Sequence, residues 1–332
     1  MTRSLVIGGT LFIGQALVRR LLERGDEVTI LHRSPGTPFG DRVRELLCDR
    51  NEARAVREAL AGMAFDVVFD NVYDWERGTP AGPVVAAARA AAEGGGLKRY
   101  VFVSSVAAYG GGVDHEDDDA LAPADHPERY AREKAESERA LFQLHREEGI
   151  PVTTIRPPFI YGPENPFYRE SFFWDRILAD RPVIIPGEGE RHMQFVHVED
   201  VGRSLILAAH RDEAAGKGYS LGNHPPVTQV EFVEALARAA GRPVRLAFIP
   251  RERIEAAGGG VFGPPLYFGI YLDLPTITAK ARRVKEELGL EPVPLNQGLQ
   301  ETFEWYRRQP RPEPDFSWED ELLGQVGSGQ VG

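Results

Sequence analysis

The sequence predicts an α/β protein, a doubly wound parallel sheet joined to a smaller mixed α/β lobe. Three observations predict it. Short apolar runs alternate with helix-patterned stretches from the N-terminus to Pro157, as in a sheet whose crossovers are helices. The runs are nearly continuous in Val, Ile and Phe, which suits strands covered on both faces. After Arg156 the rhythm loosens into shorter strands and helices without regular alternation.

LVIG (5–8) is the first strand, and IGQALVRRLLERG (13–25) is an amphipathic helix that ends at a glycine. EVTILHR (27–33) and VRELLCD (43–49) are the second and third strands, and EARAVREALAG (52–62) is a helix. AFDVVFD (64–70), the Ala-rich PVVAAARAAAEGG (83–95) and RYVFVSS (99–105) continue as strand, helix and strand. ERYAREKAESERALFQLHREEG (128–149) is a helix and VTTIRP (152–157) a strand. PPFIYGPENPFYRE carries four prolines and reads as loop. Helices are expected at 170–180, 199–211, 228–240, 276–289 and 295–309. Strands are expected at PVII (182–185), FVHV (195–198) and VRLAFI (244–249). The organisation expected is a first domain over 1–157, a second lobe over 158–312 interwoven with it, and a tail over 313–332. GQVGSGQVG (324–332) shows no core-forming pattern.

The 332 residues suffice for one large domain or two modest ones. Apolar residues make up 42% and charged residues 27%, the balance of a globular chain with a sizeable core. A formal charge of -11 removes any general attraction to nucleic acid or an anionic membrane. No basic stripe interleaved with aromatics offers a stacking platform for bases. The single cysteine, Cys48, excludes an intrachain disulfide and a thiolate zinc site, and it reads as a buried thiol. No run approaches the roughly 18 apolar residues of a membrane span. The N-terminus enters a strand with no separate apolar segment or cleavage site, so the cytoplasm is the expected location.

GGTLFIG (8–14) lies between the first strand and the first helix, the context a phosphate loop requires. Gly8 serves the tight turn, Gly14 the close helix–strand approach, and the helix N-terminus faces a pyrophosphate. Thr10, Leu11, Phe12 and Ile13 complete the loop. Leu11 stands where a further glycine is the safer choice, and a side chain is admissible there if it points away. The absence of a following Lys-Ser or Lys-Thr excludes a kinase-type loop. The second strand ends in His32, Arg33 and Ser34, with no acid for the ribose hydroxyls of NAD. Arg33 suits a 2′-phosphate and no acid competes for it, so NADP is the expected cofactor and NAD the alternative. The plainer reading of Arg33 is a solvated strand-end charge. Asp49, followed by Arg50, is placed either to meet the adenine amino group or to cap a helix. Asn71, Ser104 and Pro157, at later strand ends, complete the expected cofactor contacts.

YVFVSSVAAYGG puts Ser104 and Ser105 at the carboxyl end of a strand, where open parallel sheets place their sites. YAREK puts Tyr130 and Lys134 four residues apart on one helix face. A lysine ammonium near a phenol favours the phenolate, and a serine hydroxyl can hold the oxygen that the tyrosine protonates or deprotonates.

GGTLFIG, SSVAAYG and YAREK together resemble the extended short-chain dehydrogenase/reductase superfamily, of the NAD(P)-dependent epimerase/dehydratase type, over about residues 3–310. RPPFIYGP (156–163) and QFVHVEDVGRSLILA (194–208) resemble later segments of the same superfamily. The resemblance implies a Rossmann sheet, a small C-terminal substrate lobe, a homodimer, and Ser105, Tyr130 and Lys134 as catalytic residues. Leu11 and the missing acid near His32 depart from the usual pattern. With the HRS strand end they bring the chain closer to a subgroup of bacterial epimerase-like proteins and chloroplast stem-loop RNA-binding proteins.

The implied reaction is hydride transfer at a hydroxyl/ketone centre. Tyr130 removes or returns the hydroxyl proton, Lys134 sits on the nicotinamide ribose, and Ser105 holds the substrate oxygen. An epimerase returns the hydride to the other face, a dehydratase uses the ketone to acidify the neighbouring C–H, and a reductase releases product. An epimerase/dehydratase of a sugar nucleotide is expected, the substrate class resting on the family. The alternatives are an NADPH-dependent reductase of a small carbonyl compound, and a catalytically silent cofactor-binding or RNA-binding protein on the same fold. Candidate substrate contacts are Tyr73 (beside Asp74), Ser105, Val106, Tyr161, Asn165, Arg191 and His192. Arg191 reads as a phosphate contact or an exposed turn charge, and His192 as a contact or a structural histidine. The acidic run VDHEDDDALAP (113–123) offers Asp114, His115 and Glu116 for acid–base work, or is a solvated loop. Adjacent side chains rarely converge on one ion, so no metal site is expected. GGGVFGPPLYFG (258–269) reads as a loop over the substrate or as part of a dimer surface.

Overall fold

The computed structural model describes residues 1–260 and 275–327. Residues 261–269 of the expected substrate loop and 328–332 of the expected tail lie outside the described residues. In chain order the elements are β1 (Arg3–Ile7), α1 (Phe12–Glu23), β2 (Glu27–His32), β3 (Arg44–Leu47), α2 (Ala53–Leu60), β4 (Val67–Asp70), α3 (Ala81–Glu93), β5 (Arg99–Val103), β6 (Gly112–His115), α4 (Arg129–Glu148) and β7 (Val152–Arg156). There follow β8 (Phe159–Tyr161), α5 (Glu170–Leu178), β9 (Pro182–Pro186), β10 (His192–Met193), β11 (Phe195–His197), α6 (Val198–Ala209), β12 (Lys217–Ser220), β13 (Val227–Thr228), α7 (Gln229–Ala240), β14 (Arg245–Ile249) and α8 (Arg251–Ala256). The last elements are β15 (Ile277–Ala279), α9 (Arg282–Leu288), α10 (Leu295–Tyr306) and α11 (Ser317–Gly327).

The chain forms two compact units. One takes residues 1–160, 195–224 and 277–293, and the other takes the described residues of 161–194, 225–276 and 294–332. In the first, seven strands form one sheet in the order β12-β7-β5-β4-β1-β2-β3, with every neighbouring pair parallel. Parallel register brings all seven carboxyl ends to one edge: Ile7 stands beside Leu31 and Asp70, and Val103 beside Ile155. The chain leaves β1 toward β2 and β3, then crosses back to β4 on the other side, so a topological switch point lies at the end of β1.

Alternate side chains feed two cores. Val6, Ile30, Phe69 and Val101 pack beneath α1 and α6 with Leu17, Leu21, Val201 and Leu205. Leu5, Ile7, Val68 and Phe102 pack on the opposite face with Val56 of α2, Val84 and Ala88 of α3, and Leu141 and Leu144 of α4. The Ala-rich face of α3 is spent here, with Ala87, Ala88, Ala90 and Ala91 buried on the chain's own sheet.

Helix α4 carries one further anchor. Glu138 is fully buried and accepts Ser104 Oγ at 2.5 Å, Thr154 Oγ1 at 2.8 Å, and Arg156 through Nε at 2.9 Å and Nη2 at 2.7 Å. Arg156 Nη1 donates to Tyr109 Oη at 2.8 Å and to the Asp117 carbonyl at 2.7 Å. Tyr109 Oη meets Ser220 Oγ at 2.9 Å. One carboxylate therefore ties α4 to β5, β7 and, through Arg156, to β12. Gly218 makes room for it, since a Cβ there would lie 2.6 Å from Arg156 Nη2.

In the second unit β9 pairs in parallel with β14. The fully buried Trp174 of α5 donates Nε1 to Leu236 O at 3.0 Å and packs on Phe303 and Tyr306 of α10. Arg176 meets the buried carboxylate of Glu319 at 2.5 Å, which fastens α11 to α5.

The α/β sheet with a smaller mixed lobe stands as expected, and several local readings are corrected. The helix expected over 276–289 is a strand and a shorter helix. Ile277–Ala279 pair with β6, and Ala281 at φ 49° breaks the chain before α9. The proline-rich stretch after Arg156 holds β8, paired with β11. β6, β12, α8 and α11 had no reading. KGYS of β12 lacks an apolar run and owes its place to Arg156 and β7. In the expected tail, α11 runs to Gly327.

Replacing Glu138 with Gln leaves Arg156 buried without its counter-charge. It is expected to cost about 3–5 kcal/mol of unfolding free energy in urea titration. Thr154→Val, which removes one neutral donor, is expected to cost about 1 kcal/mol. Equal effects of the two would show that Glu138 acts as an ordinary hydrogen-bond acceptor.

Candidate active site

The glycine loop turns at the switch point. Gly8 sits at φ 87° with its N–H on Leu31 O at 3.0 Å, and a Cβ there would lie 2.6 Å from Val72. At Gly14 a Cβ would lie 2.0 Å from Gly8 O, so α1 begins against the loop backbone itself. Leu11 is the N-cap residue at φ -133° and ψ 145°, with no side-chain cap bond and no acid in the first turn. Its side chain is largely exposed. Extended backbone needs no glycine, which is why leucine is tolerated. The left-handed residue is Phe12 at φ 38°, whose buried ring packs with Ala16 and Val198. Gln15 Nε2 braces Thr10 O at 2.7 Å, and Asn71 Nδ2 braces Gly8 O at 3.3 Å. Ile13 is half-buried, packed against the core beneath α1 and α6 and against the Phe12 cluster. A helix N-terminus without a side-chain acceptor, reached over a loop that excludes a Cβ at Gly8 and Gly14, fits a pyrophosphate.

At the end of β2 the side chains diverge. His32 is buried with Nε2 2.8 Å from Glu45, while Ser34 is exposed. The expectation that no acid competes for Arg33 is corrected, because Asp74 from the turn after β4 holds Arg33 Nη1 at 3.1 Å. Asp74 also accepts the N–H groups of Arg77 and Glu76 and the Arg77 side chain. The Arg77 N–H leads among the bonds that hold its carboxyl at about 2. Asp49 accepts the Asn51 N–H at 2.9 Å and Arg77 Nη2 at 2.6 Å. Arg50 turns inward and meets Asp70 at 2.5 Å, with Tyr100 Oη on the same carboxylate at 2.6 Å. Cys48 is buried beside them, and burial pushes its thiol up.

Helix α4 lays Tyr130, Lys134 and Glu138 on one face. Lys134 is buried, donates Nζ to Val103 O at 2.7 Å, and lies 5.8 Å from the Tyr130 ring centroid and 5.4 Å from that of Tyr73. Burial pulls Lys134 down to about 8. Ser104 is spent on Glu138. Ser105 caps the next turn, its Oγ accepting the Ala107 N–H at 3.1 Å and donating to Pro157 O at 3.5 Å. The buried Val106 donates its N–H to the same carbonyl at 3.1 Å. Tyr73 packs edge-on against Tyr130 at 4.7 Å and gives Oη to Glu133 at 2.9 Å. Burial first, then that carboxylate, raise the Tyr73 phenol.

Three neighbours escaped the sequence reading. Trp75, exposed, stacks on Tyr130 at 4.9 Å and 23°. Glu133 takes the Thr79 N–H at 2.7 Å as well as Tyr73. Arg77 joins Asp49 to Asp74. Only the i,i+4 spacing of Arg129 to Glu133, on the turn that bears Tyr130, could have marked Glu133.

Elsewhere the candidates are occupied locally. Asp114 sits at φ 58° with its N–H on Thr278. His115 bonds Asp119 at 3.0 Å and Gly111 O at 2.7 Å, and Glu116 pairs with Lys280 and Arg282. Among the described residues no His, Cys, Asp and Glu cluster could hold a metal ion. In the second unit Tyr161 is buried over Gly298, and Asn165 Nδ2 donates to Glu170 at 2.9 Å. Arg191 reaches Met193 Sδ at 3.2 Å, Gln194 is buried, and His192 is exposed on β10 opposite Thr228.

No helix among the described residues is long and apolar enough to cross a membrane. A chloroplast stem-loop binding protein of 41 kDa from Arabidopsis thaliana is 27% identical, over 97% of this chain and 84% of that protein. A dTDP-4-dehydro-6-deoxy-D-allose reductase from Streptomyces bikiniensis is 29% identical, over 93% of this chain and 98% of that one. The fold matches that of dTDP-glucose 4,6-dehydratase from Bacillus anthracis, solved with NAD. The TM-score is 0.76 at 19% identity, covering 97% of this chain and all of that one. Residues 4–222 match the profile of the NAD dependent epimerase/dehydratase family, and the chain belongs to that family.

Proposed function

We propose that the chain is an NADP-dependent enzyme of the epimerase/dehydratase type that acts on a hydroxyl/ketone centre of a sugar nucleotide. The observation that carries the reading is Lys134, a buried ammonium set against the Tyr130 ring and held by Val103 O at the carboxyl end of the sheet. A fold gains nothing in stability from such a charge, whereas a phenol that must give and take a proton does. The substrate class is supported by the dTDP-sugar relatives.

Gly8, Thr10, Leu11, Phe12, Ile13 and Gly14 would hold the pyrophosphate of the dinucleotide, Arg33 and Ser34 its adenosine end, and Asn71 and Pro157 its inner portion, Ser104 being committed to Glu138. When bound, the dinucleotide supplies a hydride acceptor and donor. Lys134 biases Tyr130 toward phenolate, so Tyr130 takes the substrate hydroxyl proton and returns it to the ketone oxygen. Ser105 Oγ, already accepting the Ala107 N–H, would turn its proton from the long bond to Pro157 O toward the substrate oxygen. Tyr73 and Val106 flank these groups. In the second unit Arg191 is assigned to a phosphate, with Tyr161, Asn165 and His192 as further substrate contacts. The same reading expects a homodimer.

Incubation with UDP- and dTDP-hexoses, followed by NMR of the sugar ring, tests the reaction. Tyr130→Phe is expected to lower turnover by about 100-fold or more while cofactor affinity is kept. Substantial residual turnover overturns the proton-transfer role.

Lys134 also makes a stability prediction. Its folded pKa, about 8, lies below the unfolded value, so the cost of its charge is fully present below pH 8. The cost falls as the folded lysine loses its proton, and it is gone above the unfolded pKa. Lys134→Met is therefore expected to be more stable than the wild type at pH 7, by about 1–3 kcal/mol. The advantage should shrink from pH 8 toward 10.5 in urea titrations. A pH-independent difference would mean that the lysine is not desolvated.

A further inference from the structure

Two guanidiniums meet one carboxylate oxygen at the sheet edge. Asp74 Oδ2 accepts Arg33 Nη1 at 3.1 Å and Arg77 Nε at 2.9 Å. Asp74 Oδ1 accepts the Glu76 and Arg77 N–H groups at 3.1 and 3.0 Å, so the carboxylate is not free to follow either arginine. Arg77 Nη2 is spent on Asp49 at 2.6 Å. What remains is directional. Among the described residues, Arg33 Nε and Nη2 and Arg77 Nη1 meet no protein acceptor. Both side chains stand open to water, at 61% and 47% exposure. Each group comes from a carboxyl end of the sheet: Arg33 follows β2, Asp49 follows β3, and Asp74 and Arg77 follow β4.

We propose that Arg77 is a specificity-determining residue, the second guanidinium beside Arg33 for the 2′-phosphate of the cofactor, with Asp49 and Asp74 presetting the pair. The proposal rests on the NADP reading above. A phosphate monoester is a dianion with three acceptor oxygens, and it matches outward donors on two planar forks as a neutral ribose diol does not. The anions behind the forks oppose their mutual repulsion and hold rotamers that free arginines would have to give up on binding. Two arginines and two aspartates sum to zero charge. Discrimination at this site is therefore short-ranged and rests on the orientation of donors, with no excess of positive charge.

Calorimetric titration with 2′,5′-ADP and with 5′-AMP isolates the 2′-phosphate and requires neither nicotinamide nor turnover. The wild type is expected to bind 2′,5′-ADP about tenfold or more tightly than 5′-AMP. Arg77→Gln is expected to cut that ratio by about tenfold and leave the 5′-AMP Kd within about twofold. Arg77→Lys should recover part of the ratio, since it restores charge without the fork. Arg57→Gln, which breaks the exposed Arg57–Glu93 pair elsewhere on the unit, should change neither ligand. An unchanged ratio in Arg77→Gln, with Arg33→Gln collapsing it, overturns the proposal and leaves the NADP reading standing. Parallel loss of both ligands in Arg77→Gln assigns the residue to the fold and overturns the proposal as well. A wild-type ratio near one overturns the NADP reading itself.

Discussion

The rest of the first unit depends on where helix α4 lies, and that is set by the buried pair of Glu138 and Arg156. Apolar packing of Leu141 and Leu144 holds the helix on the sheet but is non-directional, and it does not define rotation or register alone. A carboxylate that must satisfy Ser104, Thr154 and Arg156 together does define them. Glu138 is one turn beyond Lys134 and two beyond Tyr130. The anchor therefore aims the lysine at Val103 O and sets it against the Tyr130 ring. Such a pair contributes little net stability once both ions are desolvated. Its return is the defined orientation of the face that bears Tyr130 and Lys134.

The segment 71–80 links the two ends of the site. On one side Arg129 holds the carbonyls of Trp75 and Glu76, and Glu133 holds Thr79 N and Tyr73 Oη. On the other side Asp74 and Arg77 pair with Arg33 and Asp49, and Asn51 donates to Gly78 O at 2.9 Å. Gly78 at φ 81° allows the approach, since a Cβ there would lie 2.4 Å from Glu133 Oε1. A turn bonded both to the residues after β2 and β3 and to α4 cannot shift at one end without straining bonds at the other.

What was legible in the sequence follows from the range of the forces involved. β1 to β5 and β7, the six strands of the large sheet through Arg156, carry their own apolar pattern, and Gly8, Gly14, Tyr130 and Lys134 announce themselves by local spacing. β12 does not, because KGYS becomes a strand only by pairing with β7 beside Arg156. β15 likewise depends on β6, and its Ile-Thr-Ala was absorbed into the helical pattern of the residues that follow. The acid on Arg33 was sought beside it in β2 and arrives instead from Asp74, 41 residues on. Arg50, adjacent to Asp49 in sequence, faces the interior because Asp70 is there to meet it. Charge pairing over such separations leaves no trace in local periodicity.

Ionic groups divide between two uses in this molecule. Arg156 with Glu138, Arg50 with Asp70 and Arg176 with Glu319 are buried ion pairs. Each is closed to anything from outside, and each orients an element. Lys134 is buried to the same degree, yet its bonded partner is a carbonyl, and burial draws it toward neutrality. Asp70, Glu138 and Glu133 act on it through space, but an ammonium bonded to a carbonyl leaves more of its field for the Tyr130 ring than one in a direct ion pair. The Glu138–Arg156 pair makes that exception tolerable. It fixes α4 one turn beyond the lysine, so the cost of desolvation persists as an electrostatic bias on the phenol.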